Sequence, residues 1–183
     1  LKAAGRPLVG IDMRIVDIDG KEVPLGADGE VVVRGPNVTV GYLNRPEENK
    51  AAFRDGWFHT GDIGKMDENG FMFLLDRKKD MIVTGGENVY SSEVEAALYQ
   101  HENVHECAVV GVADEKYGEA LFAAIVLRPG TSLIDSEIVD HCRSLIGGYK
   151  IPRRMAFVEE LPKSAMGKIL KTEIRKTYGE KTS

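Results

Sequence analysis

Three groups of residues in this 183-residue chain have the chemistry to act on a phosphate or a sugar. Lys168 follows Gly167 after the loop KSAMG, and a flexible loop there could deliver its ammonium into a site from outside the domain core. The competing reading of an isolated Gly-Lys pair is a solvated lysine at a helix start. Asp62 follows Thr60 and Gly61. A carboxylate in such a turn can accept two hydrogen bonds, which the 2′ and 3′ hydroxyls of a ribose would donate. An Asp that satisfies its own turn backbone is the alternative. The third group lies in DRKKDMIVTGGENVYSSEVE, Asp76 to Glu95, where Arg77, Lys78 and Lys79 precede Gly85-Gly86. Cations at this place can meet phosphate, and a glycine pair lets the backbone take positive φ or approach a ligand closely. A simple turn explains the pair equally well.

The segment His101 to His105, HENVH, formally matches H-E-x-x-H, which holds zinc only when both histidines share one face of a continuous helix. The pattern predicts a helix end near Gln100 or His101 and a strand from about Val104. The two rings would then not share a face, and no zinc site is expected. Trp57 and Phe58 read as core residues, and His59 has no evident partner.

These residues are positioned by two kinds of structure. Residues 8 to 34 read as short β-segments, IDMRIV and EVVVR, separated by the turn signals of DIDGKEVPLGADG. Pro46 suits the first turn of a short helix in NRPEENKAAF, and Asn69-Gly70 marks a hairpin before FMFLL. After Asp76 the character changes. MIVT predicts a strand, and Ser92 with Glu95 makes a capping-box pattern opening the helix SSEVEAALYQ. Val104–Val112 and Leu121–Leu127 are apolar enough for central strands. Leu133 to Ile146 has helical spacing, MAFVEEL predicts a last strand, and a basic helix ends the chain. The expectation is an α+β protein: a small mostly-β subdomain over 1–76, then a compact α+β domain over 77–183 with a three-stranded sheet flanked by helices.

Composition narrows the function. The formal net charge is −5 with acids and bases interleaved, which gives no case for nucleic acid as the main partner. The basic tail from Lys163 to Lys181 lacks interleaved aromatics and contains Glu173 and Glu180. No apolar run reaches the roughly 20 residues of a membrane span. Cys107 and Cys142 stand in apolar runs outside any CxxC spacing and are expected to be reduced packing residues in a cytoplasmic protein. The opening LKAAGRPLVG has neither an initiator Met nor a signal-peptide core, so an internal cut of something longer is expected.

Taken in order, GRPLVG, GYLNRPE, TGD, DRKKDMI, TGGENVYSSEVE, HENVHECAVVGVADE, GYKIP and PKSAMGK resemble the last third of the adenylate-forming enzymes, the acyl-CoA synthetase, luciferase and peptide-synthetase adenylation family. The likeness covers essentially the whole chain. It implies that Lys168 contacts the acyl carboxylate and α-phosphate during adenylation. It also implies that Asp62 in T-G-D-x-G-x-x-D-x-x-G (Thr60, Gly61, Asp62, Gly64, Asp67, Gly70) holds the nucleotide ribose, with Arg77 near ribose and phosphate. Lys79 matches the residue about which the small domain rotates. Gly85 and Gly86 match the loop that lines the pantetheine tunnel, and Lys150, Arg153 and Arg154 are candidates for the phosphates of CoA. ATP, giving AMP, and CoA are then substrates. Magnesium is expected in the parent enzyme with its ligands outside this chain, as are the phosphate loop, the adenine segment and most of the acid pocket.

TGGENVYSSEVE departs from the peptide-synthetase form, which carries a charged KIRG-type run, and is similar to acyl- or aryl-CoA ligases. The resemblance therefore implies an AMP-forming carboxylic acid:CoA ligase, with fatty acids the first expectation. Coumarate-like aryl acids, succinylbenzoate and dicarboxylates remain open. The expected partner is an N-terminal domain of the same protein, and the fragment alone is expected to be inactive. The alternative is a non-enzymatic docking or regulatory module in which the motif residues are idle.

Overall fold

Turn-forming Asp, Asn and Gly residues punctuate the first eighty residues, and long apolar runs dominate the rest. The computed structural model, which describes residues 2–179, divides after Lys79 into two compact units. Leu1, and Glu180 and Lys181 at the end of the basic tail, lie outside the described residues.

In unit 1 the β-branched runs form β1 (Asp12–Val16) and β2 (Gly29–Arg34) of an antiparallel sheet with β3 (Phe53–Arg54), β4 (Trp57–Met66) and β5 (Met72–Arg77). The strand order is β1-β2-β4-β3, and β5 also pairs with β4. Helix α1 (Pro46–Ala52) opens with its proline in the first turn, where a missing N–H leaves no bond unmade. Asp67 closes the β4–β5 hairpin by accepting from the amides of Asn69 and Phe71 at 3.0 and 2.8 Å, with Gly70 at φ +76°. Phe58 packs in the apolar cluster with Phe53 and Tyr42. Trp57, against expectation, is a half-buried ring that carries the guanidinium groups of Arg14 and Arg34, each 4.6 Å from its centroid.

Unit 2 holds β6 (Ile82–Thr84), β7 (Glu87–Val89), β8 (Val104–Asp114), β9 (Gly118–Leu127) and β10 (Arg154–Phe157), with helices α2 (Ser91–Leu98), α3 (Asp135–Arg143) and α4 (Lys171–Gly179). Strand β9 pairs antiparallel with β8 and parallel with β10, and the hairpin β6–β7 extends these three strands to five. Alternate residues of β8 and β9 enter two cores. Cys107, Val109, Leu121, Ala123 and Ile125 pack with Val94 and Leu98 of α2 and Ile138 and Cys142 of α3. Ala108, Val110, Phe122 and Ala124 pack with Ile174 of α4 and Leu161. Burial on both faces explains why these strands read as continuous apolar runs.

Two expectations change. Helix α2 begins at Ser91 with Tyr90 at the N-cap and no side-chain cap bond, so Ser92 lies inside the helix and does not form a capping box with Glu95. Glu95 instead accepts from the Val109 amide at 2.8 Å and pairs with Lys171 at 2.7 Å. Helix α3 is shorter than its apolar spacing. Leu133 and Ile146 still pack on the core from outside it, whereas Ile134 and Leu145 are exposed.

Candidate functional site

The motif TGD is a bulge in β4. Opposite β2, Ile63 pairs with Glu30 and His59 with Val32, so Thr60, Gly61 and Asp62 together stand against Val31. Thr60 Oγ1 donates to the Val31 carbonyl at 2.8 Å and accepts from the Asp62 amide at 3.1 Å, and Gly61 supplies the required φ of +71°. The bulge aims the Asp62 carboxylate at Arg77, its cross-strand neighbour on β5: Nη1 lies 3.0 Å from Oδ1 and 3.3 Å from the Thr60 carbonyl. A carboxylate able to accept hydrogen bonds from hydroxyls and a guanidinium able to pair with phosphate are thus brought together within one unit.

Behind this pair lies a cluster that sequence reasoning missed. Glu30 is only 6% exposed, and its Oε2 accepts from Lys78 Nζ at 2.9 Å. His59 Nδ1 stands 3.1 Å from Glu30 and 2.8 Å from Arg54 Nη2, so its tautomer decides which of the two it serves. Burial pushes the Glu30 carboxyl up, but the hydrogen bonds from Lys78 and His59 outweigh it and hold the group below its ordinary range. No local pattern could signal a partner 29 or 48 residues away.

Lys79 lies in a single 3-10 turn, Lys78–Asp80, at the division between the units. Asp80, 9% exposed, accepts from Arg175 Nη2 of α4 at 3.0 Å.

In unit 2, Gly85 and Gly86 are the two central residues of the β6–β7 hairpin, with φ of +59° and +86°. That is the backbone of a type I′ turn, which needs positive φ at both positions. The Gly85 amide donates to the Tyr117 carbonyl at 2.9 Å. Arg153 lies 4.0 Å over the Tyr117 ring and Lys116 Nζ 5.0 Å from it, so two cations gather beside the glycine turn. Lys116 first, and Arg153 after it, draw the Tyr117 phenol below its ordinary range. Arg153 also borders a cleft of about 400 Å³ with Arg143, Gly148 and Ile151. Arg154 starts β10 opposite Phe122. Lys150 is engaged elsewhere: both oxygens of Glu93 lie 2.7 Å from its Nζ. Burial lowers the Lys150 pKa, and the Glu93 carboxylate more than restores it.

Lys168 stands on a closed hairpin instead of a loose loop. Ser164 donates its amide to the Lys168 carbonyl at 2.8 Å, its hydroxyl accepts from the Lys168 amide at 3.2 Å, and Gly167 turns the chain at φ +77°. Helix α4 starts three residues later. The other described cations of the tail meet carboxylates: Lys163 with Glu106, Lys171 with Glu95, Arg175 with Asp80 and Lys176 with Glu173. The exposed Lys168 ammonium has no such pair among the described residues.

His101 follows α2 and packs edge-on against His141, while His105 is on β8. Among the described residues no group of three or more His, Cys, Asp or Glu side chains is arranged to hold a metal ion, and no helix is long and apolar enough to cross a membrane.

Residues 93–168 match the AMP-binding enzyme C-terminal domain and residues 1–43 the AMP-binding enzyme family. The chain is similar to a 2-succinylbenzoate–CoA ligase of Bacillus mycoides, 46% identical over 97% of this chain and 36% of that protein. A feruloyl-CoA synthase of Amycolatopsis is 44% identical over 97% of this chain and 36% of its own length. The o-succinylbenzoate CoA synthetase of Bacillus subtilis, solved with its acyl-adenylate intermediate, superposes with a TM-score of 0.88 at 38% identity, over 94% of this chain and 35% of that one. The chain thus spans little more than a third of the length of these relatives.

Proposed function

Because this chain belongs to the adenylate-forming superfamily, we propose that it is the C-terminal portion of an AMP-forming carboxylic acid:CoA ligase. The observation that carries the reading is the Asp62–Arg77 pair, aimed by the TGD bulge, in a chain that also presents an exposed lysine on a hydrogen-bonded hairpin. In the complete protein an N-terminal domain supplies the remaining ATP, magnesium and acid sites. The substrate carboxylate attacks the α-phosphorus of ATP, forming the acyl–phosphate bond as pyrophosphate leaves. The thiolate of CoA then attacks the acyl carbonyl and AMP leaves. Lys168 neutralises charge at the reacting carboxylate and phosphate, Asp62 accepts from the ribose hydroxyls, and Arg77 faces the phosphate side of the ribose.

The two domains are proposed to meet at the division after Lys79, the proposed pivot, three residues beyond the expected boundary between 1–76 and 77–183 because β5 runs on to Arg77. Gly85 and Gly86 admit the pantetheine arm, and Arg153, with Arg154, meets CoA phosphate. Lys150 would have to leave its pair with Glu93 to join them. An aromatic carboxylic acid is the proposed substrate class, supported by the named succinylbenzoate and ferulate enzymes. A fatty acid, the first expectation from sequence, has no support among those relatives. The buried free thiols of Cys107 and Cys142 fit a reducing, cytoplasmic setting.

Lys168→Ala in the complete ligase should lower the rate of acyl-AMP formation roughly 10²- to 10³-fold. Thioester formation from supplied acyl-AMP should be spared. An equal fall in both half-reactions would remove Lys168 from the adenylation step.

A further inference from the structure

The three-residue turn at the unit boundary has its first residue tied into one unit and its last tied into the other. Lys78 donates to the buried Glu30 carboxylate of unit 1 at 2.9 Å. Asp80 accepts from Arg175 of unit 2 at 3.0 Å. Each pair is internal to its own unit, since the chain divides between Lys79 and Asp80. Glu30 is further bracketed by His59 and Arg54, at 3.1 and 3.6 Å. Asp80 and Arg175 join the strand-entry end of unit 2 to α4, whose Ile174 is in the core.

We propose that the Lys78–Glu30 and Asp80–Arg175 ion pairs are hinge anchors, which clamp the residues on either side of Lys79 to their own units and so confine any reorientation of the units to the torsions about Lys79. This rests on the reading of Lys79 as the pivot in the proposed function. The physical argument is that a pivot of one residue is sharp only when its neighbours cannot follow it. A single 3-10 turn holds them weakly, because it makes few hydrogen bonds and those have poorer geometry than in an α-helix. Glu30 and Asp80 are the buried partners, and opening either pair would leave a desolvated carboxylate without its cation, so the pairs stay closed while the backbone torsions between them change. Glu30 and Arg175 are therefore positioning residues, which act through Lys78 and Asp80.

The test uses this chain with spin labels on exposed cysteines introduced as Asp19→Cys in unit 1 and Ser136→Cys in unit 2. A second labelled pair, Ser136→Cys with Thr172→Cys, lies inside unit 2. The native thiols are buried, and burial, with Glu95 adding to it, pushes that of Cys107 up to about 12, so they stay unlabelled. Pulsed paramagnetic-resonance distances should show the between-unit distribution broadening roughly twofold in Lys78→Met and in Arg175→Met, while the within-unit distribution keeps its width. Unchanged between-unit widths in both variants overturn the proposal, as does equal broadening within unit 2, which would mean local unfolding. Lys79→Pro separates this from the pivot reading. Narrowing there with no effect of the other two variants leaves the pivot and removes the anchors. Broadening in those two with no effect of Lys79→Pro removes Lys79 as the pivot.

Discussion

Glu30 shows how one buried charge can organise a region. Its carboxyl titrates below the ordinary value of 4.5 because Lys78 and His59 overcome the burial that would raise it. Folding therefore favours the charged form. The unfolded chain binds the proton more readily, so stability from Glu30 is fully present above about pH 4.5 and is lost as pH falls through the lower folded value. Glu30→Gln should thus be destabilising near neutral pH, and its difference from the native chain in urea midpoint should shrink on acidification. A constant difference across that range would show that this carboxylate does not drive the acid limb. The second organising charge is Glu95, which accepts from the Val109 amide at 2.8 Å and meets Lys171, itself 2.7 Å from Ser91 Oγ. Glu95→Ala should cost about 3 kcal/mol in urea unfolding, because it strands a half-buried ammonium and a strand amide. Glu95→Gln with Lys171→Met should cost much less. Neither cluster was legible in the sequence, where His59 had no visible partner and Glu95 read as part of a cap. Local patterns record near neighbours, and these partners are brought near only by the sheet.

Among the elements, β6 and the turn after it were the most legible, since Gly85-Gly86 can satisfy a turn that side chains resist, whereas β7, the strand that returns from it, was not expected. Structure adds that both residues need positive φ, and that a Cβ on Gly85 would lie 3.4 Å from Tyr117 while one on Gly86 would meet nothing within 4 Å. Gly86→Ala should therefore lose about 1 kcal/mol through backbone strain alone. Gly86→Asn should lose less, because asparagine tolerates the left-handed region. Urea unfolding of this chain separates them, and equal losses would mean that strain is not the cause. If the complete protein is the proposed ligase and this turn admits pantetheine, Gly86→Asn there should keep adenylation and slow thioester formation. Gly111 was not legible: a Cβ there would stand 2.8 Å from the Glu119 carboxylate, which accepts from the Val83 amide at 2.8 Å. It reads in sequence as one more small residue of an apolar strand, whereas a side chain there would have to displace the Glu119 carboxylate from the Val83 amide.

At the scale of the whole molecule, the chain comprises two compact units and about a third of the length of its relatives. Asp62 and Arg77 belong to the first unit, and Lys168 and the glycine turn to the second. We expect the chain alone to show no ligase activity and very weak ATP affinity. Calorimetric titration giving a micromolar isotherm for ATP would contradict the assignment of the main nucleotide contacts to the N-terminal domain. The sequence by itself determined most strands and helices in their order, though not β3 or β7, together with the glycine turns and the resemblance to the family. Those follow from backbone preferences and side-chain periodicity, which act over a few residues, and from motifs whose order survives in the chain. Only the tertiary structure decided which charges are spoken for. It ties Lys150 to Glu93, Lys78 to Glu30 and Asp80 to Arg175 across 57, 48 and 95 residues, and it pairs Asp62 with Arg77 through the bulge. The energy of an ion pair depends on separation and burial in space, and neither is a property of position along the chain.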